Sequence, residues 1–175
     1  REALLEVARR HLRAYGPATP PVFAGWWEMH QITAREAYCA LGDEIVPVDV
    51  EGWPAFALRD TVEGMQAAAQ QGVVRLLPLF DACLMGIGRR DDIAPLVAPR
   101  HYSRVFRVAG WVSAVVLVDG RVVGTWQSKA RRSATMVSVQ MFEQPDAAVQ
   151  EGIAQEAERL GSFLGTPVLL HVGVD

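Results

Sequence analysis

The stretch from Ala3 to Leu58, ALLEVARRHLRAYGPATPPVFAGWWEMHQITAREAYCALGDEIVPVDVEGWPAFAL, decides the reading of the first part of the chain. Leu4, Leu5, Ala8 and Leu12 recur at helical spacing with Arg9, Arg10 and Arg13 opposite them, which predicts an amphipathic helix ended by Gly16-Pro17. Thr19 is placed to cap a second helix. Its first position is Pro20, where a missing N–H costs nothing, and its body, Val22, Phe23, Trp26 and Trp27, is strongly apolar. Thr33-Ala34-Arg35-Glu36 has capping-box spacing and predicts the start of a third helix, closed by Gly42, with Ala34, Ala37, Tyr38 and Leu41 facing inward. Two alternating runs, Ile45–Val50 and Trp53–Leu58, then flank Glu51-Gly52 as a hairpin. Pro47 and Pro54 each lack a ladder donor, which marks both strands as edges.

Three helices followed by a two-stranded hairpin is the order of a winged helix, a scaffold used mainly to grip nucleic acid. This unit is expected over residues 1–59, with a connecting helix over 60–72. The connecting helix has Asp60 and Glu63 in capping-box relation and Gly72 beyond its end. Residues 73–175 read as a β-rich unit. Val73–Leu77 is a buried strand, Pro78–Ile87 an irregular apolar loop, and Gly88–Arg104 a proline-broken segment with little regular structure. Val112–Val118, the turn Asp119-Gly120 and Arg121–Trp126 form a two-residue hairpin, which Thr135–Phe142 extends into a meander. Pro145 opens a long helix with Val149, Ile153, Ala157, Leu160 and Leu164 on one face and Gly165 at its end, and Val168–Val172 returns as a strand. The fold class is therefore α+β: a winged helix followed by a compact β-rich domain covered by the C-terminal helix.

With 175 residues and half of them apolar, the chain is long enough for two small cores. No apolar run approaches the roughly 20 residues of a spanning helix, and no signal peptide is visible, so a cytoplasmic protein without a membrane partner is expected. Cys39 and Cys83 are far apart and outside any CxxC, which predicts buried, reduced thiols and no disulfide. The absence of a leading methionine before a helix suggests part of a longer protein, whose N-terminal domain would be a second partner.

Net charge is −3 but unevenly spread. Residues 89–132 carry nine basic groups, Arg89, Arg90, Arg100, Arg104, Arg107, Arg121, Lys129, Arg131 and Arg132, against Asp91, Asp92 and Asp119, a net +6 that leaves −9 for the remainder. Arg and Lys neutralise phosphates whatever the base sequence, so Arg89, Arg90, Arg100, Arg104, Lys129, Arg131 and Arg132, together with Arg35 of the third helix, are the candidate DNA-binding residues. The opposite arrangement has these cations paired with Glu151, Glu156 and Glu158 of the last helix. In the winged helix, Arg35 joins Gln31 and Thr33 on the outward face of the third helix. Glu36, Asp43, Glu44, Asp49 and Glu51 surround them and would repel a phosphate backbone, which favours a structural or docking role for that unit.

Three segments resemble the bacterial winged-helix DNA-binding proteins that include the crosslink-repair DNA glycosylases. They are Arg10-His11-Leu12-Arg13-Ala14-Tyr15-Gly16-Pro17-Ala18-Thr19 leading into Phe23-Ala24-Gly25-Trp26-Trp27, then Leu77-Pro78-Leu79-Phe80-Asp81, and the hairpin from Gly110-Trp111-Val112 to Gly124-Thr125-Trp126. The resemblance implies tandem winged helices leading into a barrel-like domain, of which this chain holds the C-terminal part, and DNA as partner. It places the catalytic glutamine motif near the start of the full-length protein, outside this chain. Gln31, Gln70, Gln71 and Gln127 do not match it, so no catalytic residue is assigned, and glycosylase activity requires the missing region.

The remaining motifs argue against other chemistries. His11, His30, His101 and His171 lack metal-ligand spacing, no nucleophile elbow is present, and neither metal nor cofactor is expected. Gly86-Ile87-Gly88-Arg89-Arg90 lacks the strand-loop-helix context of a phosphate cradle. Of the five tryptophans, Trp126, beside the basic segment, is placed to stack on a base. Two readings stay open: a DNA-binding part of a DNA-repair glycosylase-like protein, or a structural and protein-interaction module packing on an N-terminal domain.

Overall fold

The computed structural model describes residues 2–68, 72–86 and 96–175. The chain divides into a helical unit, Arg1–Ala69 with Ala82–Pro95, and a sheet unit, Gln70–Asp81 with Leu96–Asp175.

In the helical unit, helix α1 (Glu2–Tyr15) buries Ala8 and Leu12 along its predicted stripe, with Leu4 and Leu5 half-buried beside them. Helix α2 (Pro20–Trp26) is capped as its sequence requires: the Thr19 hydroxyl accepts from the Val22 amide at 3.3 Å, and Pro20 occupies the first turn. Helix α3 (Gln31–Leu41) corrects the expected boundary. It starts two residues before Thr33, after His30, which gives no side-chain cap, so Thr33 and Glu36 lie inside the helix and the capping box is unused. The inward stripe Ala34, Ala37, Tyr38 and Leu41 is buried as read.

Strands β1 (Ile45–Val50) and β2 (Trp53–Leu58) pair antiparallel about Glu51 and Gly52, both at positive φ (55° and 86°), the backbone of a two-residue hairpin turn. Ala18 exchanges both backbone hydrogen bonds with Phe56 of β2, at 2.9 and 3.0 Å. Helix α4 (Arg59–Ala67) also departs from its expected cap: Asp60 takes an ion pair with Arg13 at 2.7 Å, and the Thr61 hydroxyl donates to the Leu58 carbonyl instead. The apolar loop expected over 78–87 contains helix α5 (Ala82–Gly86), whose Gly86 lies so close to Tyr15 that a Cβ would come within 3.1 Å of the ring. Cys39 is exposed and Cys83 half-buried, so neither is the buried thiol expected, because α3 turns Cys39 away from the Ala37–Tyr38 side.

Phe23 sits at the centre of this core, with His11 5.1 Å and Tyr38 5.9 Å away between ring centroids. His11 is 2% exposed, also touches Tyr15 and Trp26, and has no hydrogen-bond partner on either ring nitrogen among the described residues. Burial pushes its pKa down to about 4, so the ring is held neutral.

The sheet unit is built on strands β3 (Val74–Leu77), β4 (Val115–Val118), β5 (Arg121–Ala130), β6 (Thr135–Met141) and β7 (Val168–Val174), in that order across one sheet. β3 to β6 run antiparallel, and β7 lies parallel to β6, as the intervening crossover helix demands. Asp119 and Gly120 form the predicted tight turn with φ of 47° and 79°, and the Asp119 carboxylate accepts from the Gly72 and Val73 amides at 3.0 and 2.8 Å. Residues 88–95 of the proline-broken segment lie outside the described residues, and its remainder is more regular than expected, carrying a 3-10 turn over Pro99–His101 and the short helix α6 (Tyr102–Val105).

Helix α7 (Ala147–Leu164), capped by Asp146 and ended by Gly165 at φ 65°, covers one face of the sheet. Ile153 and Ala157 are buried there with Val74, Val116, Val137 and Val139, while Leu164, at the end of the predicted stripe, is 45% exposed. Gly152 allows the close approach, since a Cβ there would fall 2.4 Å from Val74 Cγ2. The barrel-like expectation is corrected: the sheet is open, with β3 and β7 as unpaired edges among the described residues. Closing a sheet needs strand tilt and register stagger shared by every strand. Here β3 has only four residues, and the apolar face is shielded by α7 rather than by curling the sheet.

Candidate nucleic-acid interface

Side chains alternate across a strand, so the face of the sheet opposite α7 is set by register. Gln127 of β5 lies beside Ser138 of β6, which lies beside His171 of β7; Lys129, Met136 and Leu169 form the next row and Thr125 and Gln140 the one before. Gln127, Lys129, Gln140, Leu169 and His171 are exposed. Against this face opens a concavity of about 710 Å³, bordered also by Pro78, Leu79, Arg107, Trp111 and Trp126. Among the described residues no carboxylate lines it, although the chain carries 20 acidic residues against 17 Lys and Arg.

The cations read from the sequence fall into distinct environments. Lys129 is near the end of β5, and Arg131 and Arg132 lie in the turn to β6, where the Arg131 amide bonds the Ala134 carbonyl at 2.8 Å. All three side chains are exposed and make no ion pair among the described residues. Arg100 and Arg104 are engaged instead: Arg100 pairs with Glu143, and Arg104 pairs with Asp175 and lies 5.3 Å from the Phe142 ring centroid. His101 stacks on Phe142 at 4.0 Å. Its pKa is lowered by burial first and then by the positive charges of Arg100 and Arg104. Arg35 is an exposed cation on α3, in the helical unit. Arg89 and Arg90, with most of the Gly86–Arg90 segment, lie outside the described residues.

The alternative pairing with the last helix does not form among the described residues. Glu156 binds Arg159 at 2.7 Å, approaches Arg75 at 3.6 Å and accepts from the Leu76 amide, and Glu151 takes the Gln155 amide. The acids that do neutralise part of the basic segment, Glu143 and Asp175, lie outside α7. Trp126 is also less available than expected. It is half-buried, packs on the sheet core, and its indole N–H donates to the Leu77 carbonyl at 2.8 Å. Trp111, 44% exposed, is the more open ring on the concavity. Sequence reasoning missed Trp111, Ser138, Gln140 and His171 as neighbours. The one available signal was the shared alternation of Gln127-Lys129 with Ser138-Gln140 on adjacent strands. Among the described residues no group of His, Cys, Asp and Glu is placed to hold a metal, and no helix is long and apolar enough to cross a membrane.

These features define a mixed α+β protein with two separate sheets and one polar, cation-bordered sheet face. Residues 1–163 match the model of the DNA glycosylase AlkZ-like family, and the chain belongs to that family. It is 43% identical over 129 residues to an interstrand DNA cross-link repair glycosylase of Streptomyces sahachiroi, covering 72% of this chain and 34% of the relative. The solved structure of the Streptomyces sahachiroi DNA glycosylase AlkZ superposes with a TM-score of 0.83 at 34% identity, covering 98% of this chain and 46% of that one. The chain thus spans less than half the length of either relative.

Proposed function

We propose that this chain is a DNA-binding part of an AlkZ-like DNA-repair glycosylase, with the β5–β6 turn as its phosphate-contacting element. The observation that carries the reading is that Lys129, Arg131 and Arg132 project from a rigid sheet without a carboxylate partner among the described residues. Unpaired cations at the end of a strand pair can release counterions from a phosphate backbone at no cost in broken ion pairs. Under this reading α1 to β2 is a winged helix, and the Ala18–Phe56 bridge supplies the third strand of its small sheet. Its α3 is a secondary contact at most through Arg35, because Glu36 is its exposed neighbour and Asp43 and Glu44 follow. Base excision itself is proposed for the longer protein, and no residue of this chain is given a catalytic role.

The test is duplex binding measured by fluorescence anisotropy across a salt series. Affinity is expected to fall linearly with the logarithm of salt, and Arg131→Ala with Arg132→Ala to reduce the slope by about two. A salt-insensitive complex, or an unchanged slope in the double variant, refutes the assignment.

One observation favours a docking role for the helical unit alongside this. Trp27 and Ile32, 50% and 69% exposed, sit at the α2–α3 turn rather than on α1 or the hairpin. An apolar pair of this kind suits contact with further protein.

A further inference from the structure

The concavity on the sheet unit has features that phosphate contact does not require. One wall is Trp111, whose ring is met edge-on by Phe80 at 5.2 Å. Phe80 holds a φ of 56°, in the left-handed region that a bulky side chain avoids, so the backbone is strained to place that buttress. The segment leading to Trp111 is braced as well: Phe106 bridges Val112, and the Arg107 amide donates to the Trp111 carbonyl at 2.8 Å. The floor is a lattice of side chains able to donate and accept, Gln127, Ser138, Gln140 and His171, none of which has a side-chain hydrogen bond among the described residues. Arg107 borders the same space, also without an ion pair among the described residues. The volume, about 710 Å³, falls within the roughly 300–1,000 Å³ typical of small-molecule sites.

An aromatic wall, a floor of amide, hydroxyl and imidazole groups, and one guanidinium with no carboxylate among the described lining residues suit a flat, hydrogen-bonding, anionic ligand. We propose that the concavity receives a single unpaired nucleotide of DNA, with its base against Trp111, its edge on Gln127, Gln140 and His171, and its phosphate at Arg107. This rests on the DNA-binding reading above and adds to it a site selective for a base outside the duplex stack. Stacking on a side chain is sequence-tolerant and is available only to a base that has left its neighbours. One arginine and no carboxylate among the described lining residues, in a chain of net charge −3, is the charge complementarity that favours this occupant over an acidic peptide segment, whose backbone offers no planar ring to place on Trp111.

The experiment compares a short duplex with the same duplex carrying a single-nucleotide bulge, using the full 175-residue chain, anisotropy for affinity and tryptophan fluorescence for stacking. The bulged duplex is expected to bind about tenfold more tightly and to quench fluorescence, in line with the energy of one stacked base. Trp111→Ala should abolish both the preference and the quenching. Gln127→Ala with His171→Ala, both at exposed positions, should reduce the preference without touching the aromatic wall. Equal binding of the two duplexes, or a preference that survives Trp111→Ala, overturns the nucleotide site and leaves the phosphate-contact reading standing. Failure to bind either duplex overturns both.

Discussion

The arginines of α1 and those of the β5–β6 turn are the same residue type put to opposite uses. Arg9 gives Nε and Nη2 to both oxygens of Glu44 at 2.7 and 2.9 Å and Nη1 to Glu2 at 3.1 Å, Arg10 binds Glu6 at 2.8 Å, and Arg13 binds Asp60. Arg9 holds the Glu44 carboxyl below the usual carboxylate range, as Arg10 first and Arg9 next do for Glu6. Every one of those cations is satisfied inside its own unit. At Lys129, Arg131 and Arg132 no such carboxylate is within reach among the described residues. Counting basic residues along a sequence therefore overstates one surface and understates another; what matters is which acids the fold brings beside them.

The largest expected effect tests how far the helical unit excludes free charge. His11 is neutral in the fold, with a pKa near 4 against an ordinary 6.5, so protons favour the unfolded chain. Stability present above pH 6.5 is lost as pH falls toward 4, by on the order of 2 kcal/mol at pH 5. His11→Phe should flatten this loss in urea denaturation at pH 7 and pH 5, and an equally steep loss in the variant would show that another group titrates. A smaller effect concerns Arg100, whose partner Glu143 is itself exposed. Glu143→Gln should free one further cation and steepen the salt dependence of duplex binding by about one. A slope that does not change would place Arg100 away from DNA. Least of all should change with Arg9→Ala. The melting temperature should fall, while the salt slope stays that of the native chain, and any loss of slope would break the contrast between the two arginine sets.

Much of the fold was legible because its signals are local. Thr19-Pro20, the Glu51-Gly52 and Asp119-Gly120 turns, Asp146 to Gly165 and the α1 stripe each act within a few residues of where they are written. The misreadings came from competition or distance. Thr33 and Glu36 have the spacing of a cap but lie inside a helix that begins at Gln31. Helix α5 is five residues long, too short to show a period, and is placed by packing against Tyr15. The open edges of the sheet depend on pairing across the whole second half of the chain. The candidate site was legible only in part: the basic cluster of Lys129, Arg131 and Arg132 is near-contiguous and visible in the sequence, whereas the concavity draws on residues from Pro78 to His171. Trp111 and Trp126 look alike in sequence, and only the hydrogen bond from Trp126 to Leu77 separates the anchored ring from the open one.

Helix α5 belongs to the helical unit, yet it is threaded between β3 and β4 of the sheet unit. Neither unit can therefore be lifted out as one uninterrupted stretch of gene. A cut after α4 would strip Tyr15 of its Gly86 neighbour, and a sheet unit begun at β3 would carry a foreign helix in its first loop. Recombination that exchanges one half of such a protein for another must break both, so the pair is expected to be inherited as a single cassette.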